Sequence, residues 1–226
     1  MKFTDGFWML RRGVTAHSAR ETYRISTTPT GIRALATTKV IAHRGDTLSL
    51  PTLSVSISSP AEGVVRVRID HFRGGADVPR FVAPLEIDQV VIEESDDAVT
   101  LTTGGLTARL LRGEPWSLAF DFDGETLVSS GHNSIAHLTL AADADVDAHP
   151  SPAATSYVRE RLSLGIGELI YGLGERFGPV VRNGQRVDIW NADGGTASEQ
   201  AYKNVPFYLS NRGYGVLVND PGPVSF

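Results

Sequence analysis

The chain has 226 residues, a net charge of −5 at pH 7 and no cysteine. Its 21 basic side chains form no cluster, which argues against a surface for nucleic acid or for an anionic membrane. The lack of cysteine excludes a disulfide framework and a thiol nucleophile, and it fits a reducing compartment. Because no stretch is long and apolar enough for a signal peptide or a membrane span, we expect a soluble cytoplasmic protein.

The composition predicts one all-β domain over residues 1–226. Hydrophobic residues make up 41% of the chain, which is enough for a sizeable core, and 23 Gly and 12 Pro suit short strands joined by turns. An all-β sandwich of this length commonly forms a single unit. No segment of useful length has the period of a helix.

The first half of the chain reads as a series of strands. Residues 1–12 are predicted as an opening strand whose aromatic side chains, Phe3, Phe7 and Trp8, pack on the body of the fold. Apolar and polar residues then alternate with a period of two in 53–58 and again in 65–70, which is typical of strands with one buried and one wet face.

Further strands are predicted after a long loop at 71–84. Gly-containing turns separate them at intervals that suit a meander. The predicted segments are 87–93, 98–103, 106–112, 116–122 and 134–140. Residues 141–152 are rich in Ala, Asp and Pro and are predicted as a mobile surface loop.

The segment from Tyr171 to Ser210 concentrates Gly, Asn, Asp, Trp and Tyr between two apolar stretches, as functional loops on a rigid sheet do. Asn183-Gly184 is a preferred centre for a type I′ turn, so we expect a hairpin over 179–190. A polar loop over 191–196 follows, and a strand is predicted over 203–209.

A carboxylate and an amide at the tip of this loop suit a sugar, since carboxylates accept hydrogen bonds from vicinal hydroxyls. The substrate-binding candidates are Asn191, Asp193 and Thr196. Trp190, Gly194, Gly195 and Tyr202 are interpreted as residues that support the loop. The structural alternative for Asp193 is an Asx-turn that caps the amides of the two glycines.

Other chemistry finds little support in the sequence. The six His residues show no metal-ligand spacing, and there is no GxSxG nucleophile motif, so we predict no metal, no cofactor and no catalytic residue in the chain. GLGERFG at 172–178 differs from a phosphate-binding loop in the spacing of its third Gly. Glu168 and Glu175 could be read as paired carboxylates, but the Gly turns between them leave the distance between the two groups undefined. Glu175 and Arg176 are candidates for ion pairs that fix the loop.

Several segments resemble the N-terminal β-sandwich domain of glycoside hydrolase family 31, and within it the bacterial α-xylosidases. The densest similarity is in YGLGERFGPVVRNGQ and in WNADGGTASEQAYKNVPFYLSNRGYGVLVN, with weaker similarity in MKFTDGFWMLRRGV, VRVRIDHFRGG and GEPWSLAF. The resemblance implies an antiparallel β-sandwich of the galactose-mutarotase-like kind. It also implies that the loop matching 190–196 reaches over the mouth of a catalytic barrel, with Asp193 on a sugar hydroxyl.

In that family a (β/α)₈ barrel follows the sandwich and carries both catalytic aspartates of a retaining mechanism. Retaining hydrolysis needs two carboxyl groups about 5 to 5.5 Å apart, and neither aspartate has a counterpart here. We therefore expect this chain to be catalytically silent alone. Because 223–226 reads as a strand that has just begun, the natural protein is expected to be longer.

The resemblance implies three partners: an α-xyloside or related α-glycoside, the barrel of the same protein, and a second subunit in a homo-oligomer whose contact surface no sequence feature marks. One alternative function is an autonomous carbohydrate-binding module. A mutarotase-like epimerase is a third, and it needs an acid/base pair such as His71 with Glu175.

Overall fold

The computed structural model describes residues 2–6, 8–48, 50–72, 89–146, 156–192 and 200–226. All of the sheets within these residues are antiparallel, which confirms the predicted all-β class. In chain order the strands are β1 Thr4–Asp5, β2 Met9–Leu10, β3 Val14–Ser18, β4 Glu21–Thr28, β5 Gly31–Thr37, β6 Thr52–Ala61, β7 Val64–Asp70, β8 Val91–Glu94, β9 Ala98–Thr103, β10 Leu106–Leu111, β11 Leu118–Phe122, β12 Glu125–Ser130, β13 Ala136–Leu140, β14 Ser156–Arg159, β15 Ile170–Gly172, β16 Asp188–Ile189, β17 Phe207–Ser210, β18 Gly215–Leu217 and β19 Val224–Ser225. A 3₁₀ turn over Arg44–Thr47 joins β5 to β6.

Two larger sheets form the body of the sandwich. One has the strand order β4-β5-β6-β7, and the other has the order β12-β11-β10-β9-β8. Smaller sheets with the orders β14-β13-β3, β15-β17-β18, β1-β2 and β16-β19 complete the described part of the chain.

The core lies between the two larger sheets because their strands alternate apolar and polar residues. In β6, Leu53, Val55 and Ile57 are buried, while the serines between them are half-buried. Val99 and Leu101 of β9 occupy the same apolar cluster from the opposite sheet. The period-two pattern therefore predicted this sandwich correctly.

The predicted opening strand is wrong in part. Strands β1 and β2, of two residues each, pair with each other, and Trp8 is 82% exposed instead of packed. Phe3 does pack inward, with its ring 5.0 Å from that of Tyr157. Phe7 lies outside the described residues.

The predicted hairpin over 179–190 is also wrong. Asn183-Gly184 does form a turn, closed by the amide of Gln185 on the carbonyl of Arg182 at 3.0 Å. However, the only strand in this segment is β16, and it pairs with β19 near the end of the chain. The strand predicted over 203–209 starts later, at Phe207.

Most of the predicted loops at 71–84 and 141–152 lie outside the described residues. Within the described ranges no helix is long and apolar enough to cross a membrane.

Candidate functional site

The polar loop is attached to the sheet at two points that the structure joins. Asn191 and Ala201 form a parallel β-bridge, and the amide of Ala192 donates to the carbonyl of Ala201 at 3.1 Å. The segment 193–199 thus leaves and re-enters the fold at neighbouring positions. Asp193, Gly194, Gly195 and Thr196 lie within this segment, outside the described residues, so their assigned roles stay predictions.

Asn204 cross-links the two ends of the loop, residues 190–191 and Ala201, which we call its feet. Asn204 and these partners form the loop clamp. The side-chain nitrogen of Asn204 lies 2.7 Å from the carbonyl of Trp190, 2.9 Å from that of Ala201 and 3.0 Å from Oδ1 of Asn191. Its backbone amide donates to the same Asn191 oxygen at 2.9 Å. The Asn191 carboxamide oxygen is therefore engaged in fixing the loop, and the predicted contact of Asn191 with substrate stays a prediction.

Arg176 connects this clamp to the rest of the region. Its guanidinium donates to Oδ1 of Asn204, to the carbonyl of Leu173 at 3.2 Å and to the carbonyl of Asp188 at 3.0 Å. The predicted ion pairing is confirmed for Glu175, while Arg176 fixes the loop through hydrogen bonds. Glu175 forms an exposed ion pair with Lys203 at 3.1 Å, whereas Arg176 binds backbone carbonyls and an amide side chain.

The glycines of the 172–178 segment are needed because two backbones approach closely. A Cβ added at Gly174 would lie 2.0 Å from the carbonyl oxygen of Lys203, and the residue has a φ of +87°. The amide of Glu175 donates to that same carbonyl at 2.9 Å. Any side chain at Gly174 would therefore separate this segment from the backbone of residues 203–205, which follows the loop.

Glu168 is buried and organises the base of the region. Its Oε1 accepts hydrogen bonds from Ser210 Oγ and Tyr214 OH, both at 2.5 Å, and its Oε2 accepts from the amide of Gly165 at 2.7 Å. Burial tends to raise the pKa of Glu168, but these hydrogen bonds outweigh it and hold the pKa below its ordinary value. With all these bonds Glu168 acts as a structural carboxylate.

Asn183 adds a second cross-link at the same base. Its Oδ1 accepts from the amide of Ile170 and its Nδ2 donates to the carbonyl of Glu168, each at 2.9 Å. These bonds occupy the side chain of the residue that was expected to centre a hairpin. They explain why the segment runs beside β15 instead of folding back on itself.

A groove of about 380 Å³ lies at the foot of the loop. Phe177 and Tyr202 line it and are 62% and 60% exposed. Arg182 is buried at the groove, where its guanidinium donates to the carbonyls of Gly172 at 3.0 Å and Pro179 at 2.6 Å. Trp190 is 43% exposed, so the described aromatic side chains around the loop are partly open to solvent.

The acid/base pair that an epimerase would need is not assembled. His71 stacks on His137, with ring centroids 3.7 Å apart, while Glu175 pairs with Lys203. The two members of the hypothetical pair therefore have different partners. In the described residues no group of three or more His, Asp or Glu side chains is arranged to hold a metal.

The sequence analysis missed Asn204, which has no motif and acts through residues up to 28 positions away. Its only local signal is an Asn at the end of a Gly- and Asp-rich loop, a pattern common to many turns. Its role depends on the pairing of segments that are distant in sequence.

Comparison with known proteins gives a consistent result. The pattern of the family described as "Glycosyl hydrolase 31 N-terminal galactose mutarotase-like domain" matches residues 54–226. The chain is similar to alpha-xylosidase XylQ of Lactiplantibacillus pentosus, with 40% identity over 100% of this chain and 28% of that protein. It is 38% identical to an alpha-xylosidase of Emericella nidulans over 100% of this chain and 30% of that protein.

Solved structures show the same fold. A GH31 alpha-xylosidase from a soil metagenome, complexed with xylose, aligns with a TM-score of 0.61 and 18% identity over 89% of this chain and 29% of that one. The cycloalternan-forming enzyme of Listeria monocytogenes aligns with a TM-score of 0.69 and 18% identity over 91% of this chain and 18% of that one. The chain spans less than a third of the length of the two alpha-xylosidase sequences. It belongs to glycoside hydrolase family 31, whose N-terminal galactose mutarotase-like domain it matches.

Proposed function

We propose that this chain is the N-terminal accessory domain of a retaining α-glycosidase that acts on α-xylosides. The observation that carries the proposal is the similarity over its whole length to two alpha-xylosidases, of whose sequences the match covers 28% and 30%. In such an enzyme the catalytic aspartates belong to a (β/α)₈ barrel, and the sandwich supplies one wall of the substrate pocket.

The loop clamp supports a role for the loop in positioning substrate. Asn204 and Arg176 fix the feet of the segment that carries Asp193 through several hydrogen bonds. A segment whose two ends are held loses less conformational entropy on binding than one with free ends. In the proposal, Asp193 accepts a hydrogen bond from a sugar hydroxyl, and Asn191 and Thr196 contact the sugar beside it.

The distribution of exposed apolar side chains supports a contact with the barrel. Among the described residues, 11 of the 21 exposed large hydrophobic side chains lie in 156–226, although this region has about half as many described residues as the rest. Exposed apolar surface of this kind marks sites of contact with another protein surface. The most exposed of these side chains belong to Leu164, Ile166, Phe177, Val180 and Tyr202.

A cytoplasmic location is part of the proposal. It is supported by a composition without cysteine, which suits a reducing compartment.

The proposal is tested by hydrolysis of p-nitrophenyl α-xyloside. The 226-residue chain and a longer protein from the same reading frame are assayed in parallel. We expect activity in the longer protein alone. Activity in the shorter chain would contradict the absence of catalytic carboxylates, and silence in both would favour the autonomous binding module.

Asp193→Ala in the longer protein tests the role of the loop. Loss of a charged hydrogen bond to substrate should lower kcat/KM by the equivalent of about 1–3 kcal/mol. Asp220→Ala, in the exposed turn before β19, is the control and should leave kcat/KM unchanged. An unchanged kcat/KM for Asp193→Ala in a folded protein would rule out the assignment.

A further inference from the structure

A second cavity, of about 470 Å³, lies among the loops that join the strands at one end of the sandwich, and it is open to solvent because all of its lining residues except Thr38 are exposed. Its volume falls within the range of about 300–1,000 Å³ that is usual for small-molecule sites. It shares no lining residue with the groove at the foot of the loop. Its lining includes the side chains of Arg20, Lys39, Val40, Glu114, Pro115 and His132.

The walls of this cavity are fixed by backbone bonds to the core of the sandwich. The amide of Arg20 donates to the carbonyl of Thr37 at 2.8 Å, and the carbonyl of Arg20 accepts from the amide of Trp116 at 2.7 Å. Trp116 is fully buried, and Gly113 pairs with Thr22 in an isolated bridge. The cavity is therefore formed by the folded chain before any ligand arrives.

The charges around the cavity balance. Lys39 forms an ion pair with Asp46, a buried carboxylate that also accepts the amides of Ala42 and His43. Arg20 and Glu114 add one positive and one negative charge to the walls. Because the four charges cancel and the neighbouring Glu21 carboxylate accepts from Thr37 and Ile41, the site carries no excess positive charge that would attract a free anion.

The hydrogen-bonding groups at the cavity are mixed. A guanidinium Nη1 of Arg20 lies 3.0 Å from Nε2 of His132. Since a guanidinium can only donate, Nε2 is the acceptor and the imidazole carries its proton on Nδ1. Arg20 has further N–H donors beyond this bond, and the Glu114 carboxylate supplies acceptors beside the apolar surfaces of Val40 and Pro115.

Balanced donors and acceptors next to apolar carbon match a neutral polyhydroxylated molecule, whose hydroxyls both donate and accept and whose C–H groups are apolar. We propose that this cavity is a second carbohydrate site, which binds one glycosyl unit through Arg20 and Glu114. The site is separate from the loop of Asp193, so it gives the domain a sugar contact that does not depend on the barrel.

The proposal is tested by titrating the 226-residue chain with D-xylose, D-glucose and maltose up to about 100 mM, which saturates a site with a Kd of about 10 mM. Binding is followed by NMR through the backbone amides of Lys39 and His132. We expect saturable shifts with at least one of the three sugars, and a loss of affinity of at least about tenfold in Arg20→Ala and in Glu114→Ala. Arg33→Ala, on the exposed side of β5, is the matched control and keeps the affinity of the unmodified chain.

Two further measurements separate this site from the loop of Asp193 and from a simple anion site. Asp193→Ala should leave the titration unchanged, because none of the described residues that flank the loop lines the cavity, so failure of the loop proposal leaves this site standing. Inorganic phosphate at the same concentrations should not produce the shifts. The proposal is overturned if no sugar gives saturable shifts, if Arg20→Ala binds as tightly as the unmodified chain, or if phosphate binds and the sugars do not.

Discussion

The sandwich of residues 2–146 and the region of residues 156–226 place their apolar side chains differently. Of the 22 buried hydrophobic residues in the described chain, 19 lie in the first region and three in the second. The second region nevertheless holds about half of the exposed large hydrophobic side chains. One region is thus built around a core of its own, while the other presents its apolar surface outward.

In the second region, hydrogen bonds from polar side chains hold the segments together where the first region uses an apolar core. Glu168, Arg176 and Asn204 each bond to two or more segments, and Asn183 ties its turn to residues 168–170. Most of the partners are backbone groups. Such bonds fix the geometry of loops without burying much apolar area. A surface that another part of the protein covers needs a fixed geometry before the contact forms, and these hydrogen bonds supply it.

The first prediction concerns the size of this difference. Leu53→Ala in the sandwich removes a fully buried side chain and should lower the free energy of unfolding by about 2–5 kcal/mol. Leu209→Ala, the same substitution at a half-exposed position of β17, should change it by no more than about 0.5–1 kcal/mol. Urea denaturation of both variants measures the contrast, and equal losses would show that the second region has a core of its own.

The second prediction concerns the loop clamp. Asn204→Ala removes the side-chain amide that donates to the carbonyl of Trp190 and to the oxygen of Asn191, so the feet of the loop should open more easily, by about 1–3 kcal/mol. Hydrogen exchange at the amide of Ala192, which donates to Ala201, reports this opening. Exchange in the sandwich, for example at Leu101, should not change.

Asn204→Asp sharpens the test because it keeps the shape of the side chain and replaces its donors with an acceptor. It should accelerate exchange at Ala192 as Asn204→Ala does. Unchanged exchange at Ala192 in both variants would mean that other contacts hold the loop.

The third prediction concerns the pH dependence of stability in the first region, where His137 lies. Burial, and then His71 and His17, lower the pKa of His137 below its ordinary value of 6.5. Since the unfolded chain binds this proton more readily, stability should fall as the pH drops below about 6.5, by at most about 1.4 kcal/mol per pH unit for one proton. Denaturation between pH 7.5 and 5.5 measures the slope, which should be smaller in His137→Gln; an identical slope would contradict this assignment.

The fourth prediction concerns Glu168, which lies in the second region and should affect its stability at a lower pH than His137 affects the first. The pKa of Glu168 lies below the ordinary value of 4.5, because its hydrogen bonds outweigh the opposing effect of burial. Its contribution is therefore complete above about pH 4.5 and is lost as the pH falls through its folded pKa. Glu168→Gln should reduce the acid sensitivity of exchange at the amide of Ser210, and an unaltered profile would show that Glu168 does not cause this sensitivity.

The same contrast explains what the sequence could predict. Strands such as β6 and β9 bury alternate side chains, so their period of two is visible in the chain and predicted them closely. Strand β12 was missed because its buried side chains are Val128 and Ser130, and a buried Ser breaks the apolar pattern. Trp8 was assigned to the core because large apolar side chains are mostly buried, a rule that a short exposed hairpin does not follow.

In the second region, local sequence patterns predicted fewer of the strands and contacts. The pairing of β16 with β19 joins residues 35 to 37 positions apart, and Asn183 bonds to Glu168 and Ile170 instead of centring a hairpin. Neither contact has a local signal. The family could be predicted because the 171–219 segment is distinctive in sequence, whereas the clamp depends on contacts between distant segments.

The central claim is that the exposed apolar side chains of the second region are covered by the rest of a longer enzyme. The absence of cysteine from this chain allows a direct measurement, in which Ile166→Cys and Val64→Cys, both at exposed positions, are labelled with iodoacetamide and quantified by peptide mass spectrometry. Both positions should react at similar rates in the 226-residue chain. In the longer protein the thiol of the Ile166→Cys variant should react at least about tenfold more slowly, the equivalent of about 1.4 kcal/mol of protection, while the sandwich position keeps its rate. Equal rates at both positions in the longer protein would contradict the claim.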